Sequence, residues 1–163
     1  MLRRRGVAPR FVPPVSIVLA ARPESYVAGL VAFREGRLAE WVTSFAGAAA
    51  AAAVASIELA DQVAALRREW TERAGGPRAD SAAAKLIALL PALPVLSAPT
   101  ARGAIATSQQ MTLAGLKELV KAGVVRQISE GTYDRQFAAT ELFDLVAAYE
   151  AGVAERSRTA GRR

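Results

Sequence analysis

Residues 38–73 constrain this chain more than any other stretch. Leu38, Trp41, Phe45, Ala49, Ala52, Ile57, Leu59, Val63, Leu66 and Trp70 recur there at helical intervals, broken only by Gly47. Six consecutive alanines at 48–53 have the highest helix propensity of any residue type and almost no side-chain bulk. The run predicts a single long helix, and with it a mainly α chain. Its uncharged part, 41–57, is mostly alanine and falls short of the roughly 20 strongly apolar residues of a membrane span. It is therefore read as a soluble helix of a cytoplasmic protein with no membrane partner. The alanines fit a helix packed tightly inside its own domain, and they also fit a homodimer seam through 47–54, where small side chains let two backbones approach.

Ahead of it, Pro23 suits a first helical turn and Glu24 places a carboxylate at the positive end of the dipole. A helix over 24–35 follows, stopped by Gly36, with Tyr26, Leu30 and Phe33 on one face read as core. The opening "MLRRRGVAPRFVPPVSIVLAAR" imitates a secretory signal, but Pro9, Pro13, Pro14 and Arg10 break its apolar segment.

After the long helix, "RAGGPRADS" at 73–81 mixes Gly-Gly, Pro and charge and reads as a linker. The organisation expected is a helical segment at 1–74, a linker at 75–80, a second domain at 81–150 and a basic, disordered tail at 151–163. In the second domain Asp80 or Ser81 caps a helix that stops at Pro91. A brief extended piece, a short helix over 100–106 and a helix capped by Thr107 or Ser108 come next, the last ending at Gly123. "VVRQIS", the turn "EGTYD" and "RQFAA" read as strand, wing and strand, and Thr140 caps a closing helix to about Glu150. This order is that of a winged helix-turn-helix with a small β-wing.

In such a fold the second helix of the turn offers its first residues to DNA. Ser108, Gln109, Gln110 and Thr112 then reach bases or phosphates, Gln being able to bond adenine through two atoms, while Lys117 and the wing residue Arg135 neutralise phosphate. Duplex DNA is thus one expected partner. Net charge is +6, yet residues 78–150 carry seven basic and seven acidic side chains, so the surplus lies at the two ends of the chain. A freestanding DNA reader should be more basic, and that balance suits a winged helix used for protein contact or for orienting a neighbouring domain.

The chain has no cysteine and no histidine, which removes disulfides, thiolate nucleophiles, histidine bases and nearly every transition-metal site. Any catalysis would need carboxylates, Lys, Tyr or Ser alone.

"LRRRGVAPRFVPPVSIVLAARPESYVAGLVAFREG", "ALRREW", "RADSAAAKLIALLPALPV" and "LKELVKAGVV" occur in this order over residues 2–150. Together they resemble the C-terminal part of Fic family proteins, the protein adenylyltransferases. The resemblance implies the closing helices of a Fic domain followed by a C-terminal winged helix, with Met1 falling inside what is a continuous domain in the family. It does not extend to the catalytic HxFxxGNGR signature, since the chain holds neither histidine nor Gly-Asn-Gly. The resemblance and this departure together imply a non-catalytic, truncated Fic relative with a binding or regulatory role, with no catalytic, cofactor-binding or metal residue and no cofactor. The alternatives are half of a split adenylyltransferase, completed by a separate catalytic chain and acting on a protein target, and a remnant with no function of its own.

Overall fold

The computed structural model describes residues 15–129 and 135–160. The opening segment to Pro14, the expected wing turn "EGTYD" at 130–134 and the last three residues lie outside them. Seven helices and three short strands are found among the described residues: α1 (Val15–Ala20), α2 (Pro23–Arg34), α3 (Leu38–Arg73), α4 (Ala82–Leu89), β1 (Val95–Ser97), α5 (Ala98–Ile105), α6 (Gln109–Lys121), β2 (Arg126–Gln127), β3 (Gln136–Ala138) and α7 (Thr140–Ala160). The protein is mainly α with one small antiparallel sheet.

Local chemistry sets the helix ends. At Gly36, Gly75 and Gly123 the backbone enters the left-handed region, with φ of 80°, 77° and 69°. Each time the glycine N–H and the next N–H turn back onto carbonyls of the last helical turn; Gly123 N–H reaches Val120 O at 3.1 Å and Val124 N–H reaches Leu119 O at 2.9 Å. The starts of α4, α5 and α6 are capped by Ser81, Ser97 and Ser108, whose hydroxyls accept backbone N–H bonds from Ala84, Thr100 and Met111.

The chain forms two compact units, and the division falls inside α3, after Ala60, and inside α7, after Val146. The expected boundary at 75–80 is corrected by this. Trp70, near the C-terminal end of α3, is fully buried in the core of the unit spanning Asp61–Val146, so Gly75 and Gly76 reverse the chain within one unit instead of separating two.

In that unit α6 packs on α4 and α5, and the buried side chains of Trp70, Leu86, Leu90, Leu96, Leu116, Leu119 and Phe137 make one core. Each such side chain contributes roughly 1.5–3 kcal/mol of burial. The strands run antiparallel in the order β1-β3-β2, with Leu96 opposite Phe137 and Gln127 opposite the same Phe137.

The other unit comprises α1, α2, α3 up to Ala60, and α7 from Ala147. Val18, Ala52, Ala55, Tyr149 and Val153 form its small core. Two expectations are corrected here. The Tyr26, Leu30, Phe33 stripe is not core: all three are exposed, and the buried residues of α2 are Gly29 and Ala32, Gly29 because the α3 residue Trp41 closes over it. The region after Glu150 is not a disordered tail, since α7 continues to Ala160 and buries Val153 and Ser157.

The alanine run packs inside its own unit through Ala48 and Ala52, with Ala55 just beyond it. Elsewhere α3 leaves Leu38, Val42, Phe45, Val54 and Ile57 exposed, Ile57 at 65%. By length and composition α3 is long and apolar enough to cross a membrane, and 11% of its most apolar window is buried.

Candidate nucleic-acid interface

The α6 helix is positioned from its first residue. Ile105 ends α5, Ala106 takes a left-handed conformation at φ 51°, and Thr107 and Ser108 complete a turn too short to let the two helices separate. Ser108 Oγ accepts the Met111 N–H at 3.2 Å, and Thr112 Oγ1 donates back to the Ser108 carbonyl at 2.9 Å while lying 3.2 Å from Thr107 Oγ1. One face of α6 is held by burial of Thr112, Gly115, Leu116 and Leu119. Gly115 faces α4 so closely that a Cβ there would stand 2.9 Å from Ala82 Cβ.

The opposite face is open. Gln109 and Gln110 stand exposed in the first turn, and Gln110, Lys117 and Lys121 follow one another at helical spacing on the exposed surface. No acidic residue occupies the first turn, so the positive end of the dipole and the free N–H groups there are not neutralised locally.

Thr112 leaves the expected contact set. It is 1% exposed, and both its hydroxyl bonds are spent on the turn, so it builds the interface without presenting itself to a ligand. Ser108 is exposed, but its hydroxyl is the helix cap. Arg135 is exposed just ahead of β3. Beside it the strand ends are closed by the Ser129 side chain, which accepts Gln136 N–H at 2.9 Å, and by Gln127 Nε2, which donates to the Ser129 carbonyl at 2.8 Å.

Sequence periodicity does not reveal how apolar the open face is. Met111, Leu113 and Val120 are exposed on α6, at 52%, 38% and 41%. Helical spacing groups Leu113 and Val120 with the buried stripe, yet they lie one position off the Leu116–Leu119 line, which was the available signal. Arg102 and Arg126 are also exposed in this unit. The surface therefore carries amide groups, cations and apolar side chains together. It can dock a phosphate backbone or a protein surface, and among the described residues no cluster of three or more acidic side chains is arranged to hold a metal ion.

No protein-family model matches the chain, and no curated protein matches it.

Proposed function

We propose that this chain is a non-catalytic relative of the Fic family whose Asp61–Val146 unit carries a winged helix-turn-helix, with α6 as a docking helix for duplex DNA. The observation that carries the reading is the combination of element order and sheet order. Helix, strand, helix, helix, strand, strand, with the first strand paired to the third and the third to the second, gives an exposed helix followed by a two-stranded extension. Gln109 and Gln110 supply base-reading amides, Ser108 fixes the helix start, and Lys117, Lys121 and Arg135 supply charge.

Anisotropy titration of the full chain against a labelled duplex at low salt tests it. Saturable binding that weakens with added salt, and weakens further in Gln110→Ala and Arg135→Ala, is the expected outcome. No binding, or binding indifferent to both substitutions, overturns the DNA reading and leaves the module to protein contact.

A second reading is favoured by the exposed apolar side chains of α3 and by exposed Val27 and Val31 on α2. Exposed apolar side chains in this number suit a docking surface. In this reading the chain is half of a split adenylyltransferase, and the histidine base and phosphate-cradling loop come from a separate chain. Co-purification of a catalytic half, abolished by Val42→Asp, with AMP transfer by the pair, is the result that would establish it.

A further inference from the structure

The unit that holds α1, α2 and the first part of α3 contains a cavity of about 540 Å³, within the roughly 300–1,000 Å³ of small-molecule sites. Its lining has two characters. Val18, Leu19, Ala51, Ala55 and Val153 make an apolar wall, while Arg22 and Arg156 bring guanidinium groups from the α1–α2 turn and from α7. Ser25 and Ser44 add hydroxyls, and among the described residues no Asp or Glu lines the cavity.

The arginines are not neutralised alike. Arg22 makes no ion pair among the described residues; its Nε donates to the Ser157 carbonyl, which anchors the side chain without cancelling its charge. Arg156 pairs with Glu58 at 3.0 Å, but both side chains are at least half exposed, and such a pair is worth only about 0–1 kcal/mol. An incoming anion can therefore take over Arg156 at little cost. Glu24 in the first turn of α2 offsets the positive end of that helix, so the positive charge of the site rests on the two arginines. The small core behind the cavity shares Val18, Ala55 and Val153 with its wall and contains the Tyr149 hydroxyl, which is buried with no hydrogen-bond partner among the described residues.

We infer that this cavity binds an anionic amphiphile, a single carboxylate or phosphate-type head held by Arg22 and Arg156 with a short unbranched chain lying on the Val18, Ala51 and Val153 wall. The site is separate from α6 and does not depend on the DNA reading.

The test is calorimetric titration of the full chain with decanoate below its micelle concentration, with decanol as the chain without the charge and acetate as the charge without the chain. Saturable one-to-one binding of decanoate, at least tenfold tighter than either control, is expected. Arg22→Gln should weaken it about tenfold, the scale of a hydrogen bond to a charged group. Arg156→Gln should weaken it several-fold, and Glu58→Gln should leave it equal or tighter. Ala51→Trp, at an exposed position of a helix, should abolish binding while the far-ultraviolet circular dichroism stays that of the parent. Absence of saturable decanoate binding, equal binding of decanol or acetate, or binding untouched by both arginine substitutions would overturn the inference. Equal binding of decanol would assign the chain contact to the exposed apolar side chains of α3 instead.

Discussion

Glu141 gathers three donors at one half-exposed carboxylate. Arg73 Nη1 reaches Oε1 at 2.8 Å and Nη2 reaches Oε2 at 2.5 Å, while the Trp70 indole N–H donates to Oε2 at 2.6 Å. The Arg73 hydrogen bonds hold the Glu141 carboxyl below the ordinary value of 4.5, with the Trp70 bond assisting and burial opposing. A carboxylate depressed in the folded state stabilises fully above its unfolded value, and that contribution is lost as pH falls through the folded one. Glu141→Gln should thus cost about 1 kcal/mol in urea unfolding at pH 7, given the half-exposed pair, and the deficit should shrink as the pH drops below 4.5. A deficit constant across that range would show that the charge is not what stabilises. Tyr149 makes the opposite prediction. Its buried hydroxyl has no partner among the described residues, so Tyr149→Phe removes a desolvated polar group and should leave stability unchanged or raise it by up to about 1 kcal/mol in the same assay.

At the scale of elements, two helical glycines that look alike in the sequence should respond in opposite senses to alanine. Gly103 in α5 has nothing within 4 Å of where a Cβ would sit, so Gly103→Ala should stabilise by roughly 0.5–1 kcal/mol through helix propensity. Gly115 in α6 would bring its Cβ to 3.0 Å from the Ala83 backbone nitrogen and 3.1 Å from the Ala82 carbonyl carbon, contacts that no side-chain rotation relieves. Gly115→Ala should destabilise by about 1–3 kcal/mol, measured as a lowered thermal midpoint. Because α6 would be pushed off α4, the same substitution should also disturb any ligand read by Gln110 and Lys117. Periodicity alone placed α6 correctly, ending it at Gly123, but could not show that Gly115 is a point of helix contact while Gly103 is open. That distinction depends on which helix faces which.

For the molecule as a whole, the exposed apolar side chains of α3 are the feature that its own core does not use. If Val42 and Ile57 contribute nothing to the fold, Val42→Lys with Ile57→Lys should change unfolding free energy by no more than about 0.5 kcal/mol. The same pair should lower binding of the dye ANS and abolish any concentration-dependent increase in mass seen by light scattering. A large loss of stability would show instead that these side chains are covered within the native chain. The candidate interface on α6 was legible in part. Gln109, Gln110 and Lys117 stand exposed where the element order put them, whereas the burial of Thr112 follows from the turn geometry between α5 and α6.

What could be read from residue order was whatever is decided within a few residues. Glycine at 36, 75 and 123 ends a helix because only glycine takes the left-handed turn at no steric cost, and Ser81 and Ser108 begin one because a nearby hydroxyl satisfies an orphan N–H. The full extent of α3, from Leu38 to Arg73, followed from the same kind of local preference. The choice of which flank of α3 is buried, the continuation of α7 past Glu150, and the division of the chain inside α3 rested on contacts between distant segments. Ala52 and Ala55 are buried because Val18, Tyr149 and Val153 meet them, and the apolar residues beside them stay exposed because the chain's described part supplies nothing to cover them. Hydrophobicity records that a side chain gains by leaving water; only the tertiary structure decides whether a partner is there to receive it.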